Sequence, residues 1–278
     1  MNVKSRSPIV LLWAFAVFMA LAPVCVFAGG DSKTVAQSIE LSDGARIEVV
    51  GENAEVRIHG VASSAIEISI TMNNEDFVDF YTQVLYGSPA SHLVISATMS
   101  KGSATAANSL IEIGIPAGIE LIVRTTNRPI KVEGVSVATA ILTTTDGPIT
   151  VVNSSGDFDL NTTNSDVTVR AIDGPVNVVT TNGHVWLEGV IDEGSNSIST
   201  TNGDITVRLK SGSNVSVSGN TRNGDVTING SSDGVTKDGA WAWISHRVDD
   251  GTATLHITNG PGAIHINPMV IALFDGES

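Results

Sequence analysis

Cysteine is nearly missing: Cys25 is the single one in 278 residues. One thiol closes no internal disulfide and builds no thiolate metal site, so stability must come from backbone pairing and stacked side chains. Large rings are scarce as well. Seven Phe, two Tyr and four Trp, 5% of the chain, suit a core of stacked Val, Ile, Leu and Thr better than a ring-packed sandwich. Positive charge is the third shortage, with 15 Lys and Arg against 29 Asp and Glu. The resulting net charge of −14 repels nucleic acid and anionic lipid, and it fits an exported soluble protein without naming a ligand. The chemistry motifs are absent too. No glycine-rich phosphate loop opens a helix, no nucleophile elbow occurs, and the six His show no metal-ligand spacing. No cofactor is expected.

Long apolar runs are confined to the start. Lys4 and Arg6 precede an apolar stretch from Pro8 to Ala28, and Val26-Phe27-Ala28 stands before Gly29-Gly30 as a small-residue cleavage site. Residues 1–28 are therefore expected to be a signal peptide or, since the run is long enough to span a bilayer, a retained N-terminal anchor. Membrane contact is expected only through such an anchor, and the location is periplasm, outer envelope or extracellular. Cleavage removes Cys25 and two basic residues, leaving 13 basic and 29 acidic residues and a net −16.

The organising signal is a repeat. The motif Thr-Thr-(Asn/Asp)-x-x-(Ile/Val)-x-(Val/Leu/Ile) begins at Thr125, Thr144, Thr162, Thr180, Thr200 and Thr221, the last copy alone replacing the second Thr, by Arg222, and its turn residues are Asn127, Asp146, Asn164, Asn182, Asn202 and Asn223. The steps are 19, 18, 18, 20 and 21 residues. Alignment on the turn residue separates an apolar face from a polar one. Four places before it stand Val123, Leu142, Leu160, Val178, Ile198 and Gly219; three places after it, Ile130, Ile149, Val167, Val185, Ile205 and Val226. Alternation on both sides of the turn means two short strands per repeat, each with one face inward. Gly147, Gly183, Gly203 and Gly224 are expected to supply a positive φ at this corner, and Gly134, Gly156, Gly174, Gly194 and Gly212 mark a second corner. An antiparallel meander with Asn-Gly hairpins competes with a solenoid in which every strand stacks on its counterpart one repeat earlier. Identical residues in column favour the solenoid, because like side chains about 4.8 Å apart form ladders.

The reading is thus an all-β, single-stranded parallel β-solenoid with coils of 18–21 residues, a single domain over 29–278 after the leader. Regular coils run over 119–230, degenerate first coils over 39–70, and a last coil with its cap over 240–274, where Met269–Phe274 closes the core. Trp241 and Trp243 fall on one face of a strand. Residues 73–86 break the pattern: Phe77, Phe80, Tyr81, Val84 and Leu85 recur at helical spacing, which predicts one short helix or a loop insertion.

The run Ile111-Glu112-Ile113-Gly114-Ile115-Pro116-Ala117-Gly118-Ile119-Glu120-Leu121-Ile122-Val123, followed by repeated Thr-Asn-Gly-Asp-Ile-Thr-Val, resembles the bacterial "putative adhesin" β-solenoids over residues 39–268. The resemblance implies an exported or tethered domain, right-handed winding and no assigned activity; it carries no catalytic residues over. The chain departs from that pattern at Arg128-Pro129, at Pro148 and within 230–250.

Chemistry on this frame is sparse. Trp186 stands in a column otherwise made of Lys131 and Thr, so it is expected on a flat outer surface beside His184, and Trp186, His184 and Lys131 are the candidate ligand-binding residues. Asp204 and Asp225 are the candidate cation pair if they face one another across adjacent corners. The expected function is a non-enzymatic envelope or surface module, adhesin-like, that binds a protein or glycan through a flat β face. A self-assembling scaffold, with a homo-oligomer through its ends, is the alternative. A polysaccharide-active enzyme using Asp249 or Asp250 is the second alternative.

Overall fold

A computed structural model describes residues 25–29, 32–73, 78–99, 108–229 and 234–268. The repeats stack as anticipated, in parallel and in register. Leu142 lies beside Leu160, Leu160 beside Val178, and Val178 beside Ile198, while Ile149, Val167, Val185 and Ile205 form the matching column after the turn. Each repeat is one rung. Its first strand belongs to one sheet, its second strand to the facing sheet, and the inward side chains of both form one apolar cluster reaching from Val35 to Ile266. Most of these side chains are fully buried, and each such Val or Ile contributes about 1.5–3 kcal/mol against staying exposed. That repeated term replaces the rings the sequence lacks.

The corner shows why Thr and Asn recur. All six Thr of the motif are buried, and their hydroxyls donate to main-chain carbonyls of the preceding rung: Thr180 to Ser165 O at 3.1 Å, Thr200 to Gly183 O at 3.1 Å. The Asn side chains run along the outside as an amide ladder, Asn164 to Asp146 at 2.6 Å, Asn182 to Asn164 at 2.8 Å and Asn202 to Asn182 at 2.8 Å. The following glycines serve a different end from the one expected. Gly147, Gly183, Gly203 and Gly224 do not adopt positive φ. They are glycine because a Cβ would strike the preceding rung: at Gly183 it would sit 1.9 Å from Ser165 O. The left-handed conformation is the rule at the second corner, as at Gly156 (φ 120°) and Gly174 (φ 117°), while at the first corner the turn residues Asn53 and Asn223 adopt it.

At both ends the stacking order departs from the chain order. In space the rungs are Ala90–Met99 with Asn108–Ile115; the second half of Ser32–Gly51 with Ala54–Gly60; Ile119–Thr125 with Ile130–Glu133; and then the regular series through Ser195–Thr200 with Ile205–Leu209. Next comes Ala253–Asn259 with Ile264–Pro268, and only then Val215–Arg222 with Val226–Ile228. The first segment of the chain therefore sits between two later ones. The coil expected to be last is instead inserted between the repeats of Thr200 and Thr221. The ends are finished by antiparallel strands. Val78–Tyr86 pairs with Ala90–Met99 at one end, and Trp241–Val248 then Val235–Asp238 cover Val215–Arg222 at the other. Ala65–Asn73, expected as part of an early coil, runs antiparallel between residues 32–40 and Asn108–Ile115.

The helix or loop insertion predicted for 73–86 is corrected over Val78–Tyr86, which is a strand. Val, Phe and Tyr favour a pleated strand, and an adjacent partner strand across the turn at Gly87–Pro89 outweighs a helical spacing only two turns long. Phe77 lies outside the described residues, as do residues 1–24 of the expected leader and the expected cap Met269–Phe274. Cys25–Gly29 pairs antiparallel with the start of Ser32–Gly51.

Candidate functional site

The second strands of the rungs place Thr168, Trp186 and Thr206 side by side on the outer face of the second sheet. Trp186 is half-buried, where open exposure was expected, because two arginines lean over it. The Arg170 guanidinium carbon lies 5.9 Å and that of Arg208 5.3 Å from its ring centroid. Those arginines occupy the next outward column, in register with Glu188 between them. Lys210 closes the ion pair with Glu188 at 3.1 Å and holds that carboxyl below the usual glutamate range. The Trp186 indole N–H, short of a full hydrogen bond, adds to the same effect.

The structure does not bring the other predicted ligand residues to Trp186. Lys131 lies three rungs away in the same column, past Thr150 and Thr168, and its ammonium binds Glu55 at 2.8 Å. His184 is part of the corner. Its N–H donates to Asp166 Oδ1 at 2.8 Å, and its Nδ1 accepts the Asp204 N–H at 3.0 Å. Asp204 repeats the device, with Oδ1 accepting the Ala263 N–H at 2.8 Å. This column therefore caps the main chain of the following rung, and Pro129 and Pro148 stand where there is no N–H to cap. Asp204 and Asp225 do not face one another: the inserted rung, with Ala263 and Ile264, separates them, Ile264 N–H donates to Asp225 O, and Asp225 pairs with Lys237 at 3.4 Å. The expected cation pair is withdrawn on that geometry. Among the described residues no three His, Cys, Asp or Glu gather as a metal site. Asp249 and Asp250 lie in the turn after Trp241–Val248, with Asp249 at φ 52°.

The exposed aromatic surface lies elsewhere. Trp241 and Trp243 project from the outer face of the first sheet, 43% and 38% exposed, with ring centroids 6.4 Å apart and planes 21° from parallel. Their strand is paired on both sides, so Asn220 and Thr236 flank Trp243 while Arg222 and Asp238 flank Trp241. Arg222 stands 6.0 Å from the Trp241 ring. The two-residue spacing of these tryptophans was visible in the sequence; the pairing that sets polar residues beside them was not, since Trp241–Val248 and Val235–Asp238 lie outside the repeat.

A third feature is a hollow of ≈ 540 Å³ at the other end of the second sheet, lined by Gln37, Ser38, His59, Glu67, Ser69 and Glu112 among others. Gly114 is part of its wall and packs tightly against Val61, so that a Cβ there would come within 2.6 Å of that side chain. Beside it Glu55 binds Arg57 and Lys131, both at 2.8 Å. Partial burial opposes the Glu55 charge, yet the two hydrogen bonds outweigh it and hold the pKa below the usual range.

A family model described as "Toastrack DUF4097" matches residues 31–260. No curated protein matches the chain. Among solved structures, a "putative cell adhesion protein" from Clostridium sporogenes is similar at 13% identity and TM-score 0.40, covering 86% of this chain and 100% of that one. A "putative adhesin" from Parabacteroides distasonis is similar at 12% identity and TM-score 0.41 (85% and 98% covered). A "Putative lipid binding protein" from the same species is similar at 13% identity and TM-score 0.32 (87% and 98%). With its matched stretch spanning most of the rungs, the chain belongs to the Toastrack DUF4097 family.

Proposed function

We propose that the protein is an exported, non-enzymatic module of the cell envelope that binds a glycan on the outer face of its first sheet, with Trp241 and Trp243 as the platform. The observation that carries this reading is the pair itself: two neighbouring indoles, well exposed, on a strand paired along both edges. A platform already ordered loses little conformational freedom on binding. The C–H face of a sugar ring stacks on an indole, and Asn220, Thr236, Asp238 and Arg222 offer hydrogen bonds to its hydroxyls. Export is supported by Lys4, Arg6 and the apolar run to Ala28, and by the acidic surface. The self-assembly alternative finds less support. The strands left at the C-terminal edge, Val226–Ile228 and Val235–Asp238, are too short to template a second copy.

The test is retention of the chain lacking residues 1–28 on an array of neutral and acidic oligosaccharides, against the Trp241→Ala/Trp243→Ala double variant. The reading expects binding that falls at least about tenfold in the double variant, equivalent to about 1.4 kcal/mol, with an unchanged melting temperature. Absence of glycan binding by the parent chain, or equal binding by the variant, sinks it.

A further inference from the structure

We infer a second binding site, independent of the tryptophan pair, on the outer face of the second sheet: Arg170, Trp186 and Arg208 form a receptor for the carboxylate or sulfate groups of an acidic glycan. An ion ladder on this face does not close. Arg170, Glu188 and Arg208 stand in register on three successive rungs, an arrangement in which Glu188 would ordinarily satisfy both arginines. Lys210 takes the Glu188 carboxylate instead, at 3.1 Å. Among the described residues neither arginine reaches a carboxylate at ion-pair distance; Arg208 acts on Glu188 only as a nearby charge, and both lean on Trp186, at 5.9 and 5.3 Å. Contact with an aromatic ring leaves a guanidinium's N–H edge open, and that fork is the part that grips a carboxylate or sulfate.

The setting selects the ligand. Three positive charges and one negative one give a local excess of two within a chain of net charge −14. The overall field repels a diffuse polyanion, so attraction must act at short range through oriented hydrogen bonds. The two arginines are two rungs apart, about 9.6 Å at the strand level, which is on the order of one disaccharide. An extended acidic polysaccharide with one charge per disaccharide therefore meets both. Thr168 and Thr206, on either side of Trp186, face the same way and present hydroxyls to the sugar. Parallel strands in register set these side chains out as a ladder, which suits an extended glycan better than a peptide that must bury side chains.

The experiment is calorimetric titration of the full chain with oligogalacturonate, dextran sulfate, neutral dextran, an aspartate-rich peptide and inorganic phosphate. The site predicts that the two acidic glycans bind, that neutral dextran and phosphate do not, and that added salt weakens binding. Arg170→Ala and Arg208→Ala should each lower affinity about tenfold, as expected for one charge-assisted contact, and the double variant should abolish it. Arg→Lys at both positions keeps the charge and the stem, and should restore binding only in part because lysine lacks the fork. These titrations are run on the Trp241→Ala/Trp243→Ala background, so that the first site is silent and failure of either site is read separately from the other. No acidic-glycan binding, binding that survives removal of both arginines with the melting curve intact, full restoration by lysine, or preference for the peptide overturns the inference.

Discussion

The middle of the stack and its two ends are built from the same parts under different rules. From Ile119 to Leu209 the rungs follow one another in the chain, and each new strand is laid on the one just made. At the ends a segment distant in sequence enters between neighbours: Ile47–Val49 between Leu93–Ile95 and Leu121–Val123, and Leu255–Ile257 between Asn196–Ile198 and Val217–Gly219. The lesson lies in the corner residues. In the middle rungs a buried Thr donates to the previous rung; in the inserted rung Asn259 stands in that place, between Thr200 and Thr221. Asn259 binds Ala263 O through its amide nitrogen, but its buried Oδ1 has no partner. Pro261 falls where the outer Asn ladder would continue, and the ladder stops at Asn202. The inserted rung fits the stack while contributing less to it.

The largest effect should be common to both regions. Gly183→Ala and Gly262→Ala each force a Cβ to within 1.9 and 1.8 Å of a neighbouring carbonyl oxygen, and each should cost more than about 3 kcal/mol by thermal or urea unfolding. Gly118→Ala meets nothing within 4 Å and suffers only from its φ of 76°, so it should cost about 1 kcal/mol. A small loss at Gly262 alone would mean that the inserted rung is loosely held. Next, Thr180→Val removes a buried hydroxyl and leaves Ser165 O without its donor, for a loss of about 1–2 kcal/mol. Asn259→Thr has the opposite sign. It removes the unpartnered Oδ1 and places a hydroxyl where the ladder rule directs it to Gly203 O, so it should stabilise by about 0.5–1 kcal/mol; a loss would show that the rule of the middle does not extend to the end.

The smallest effect concerns charge at the N-terminal end. The folded pKa of Glu55 is held below its unfolded value, so its contribution is present above the ordinary glutamate range and is lost as pH falls through the lowered value. Glu55→Gln should therefore destabilise by less than about 1 kcal/mol at neutral pH, with the gap closing in acid. A gap that widens in acid would contradict the pairing with Arg57 and Lys131.

This contrast also explains what could be read from the residues. Six Thr and six Asn or Asp in column reveal the parallel stack because the repeat and the contact are the same event there. The inserted rung reads Asn-Gly-Pro-Gly-Ala-Ile-His-Ile where the motif has Thr-Thr-Asn-Gly-Asp-Ile-Thr-Val, so only Ile264 and Ile266 betray it, and nothing local says which gap it fills. Order in space is set by which apolar edges remain open after the middle has stacked. For the candidate sites, Trp186 was visible as an odd residue in its column. Arg170 and Arg208 lie one column further on, six places after Asn164 and Asn202, and their role depends on Lys210 drawing Glu188 away, which spacing does not encode.

The rung order is tested most directly by cysteine cross-linking across the outer face of the first sheet, with Cys25 replaced by serine. Ser197 and His256 are register partners, as are His256 and Ser218. Adjacent strands bring Cα atoms about 4.8 Å apart, within disulfide reach, and strands two rungs apart stand about 9.6 Å apart, beyond it. The account predicts that Ser197→Cys/His256→Cys oxidises readily to an intrachain disulfide and Ser197→Cys/Ser218→Cys does not. Ready closure of the second pair, with the first left reduced, would contradict it.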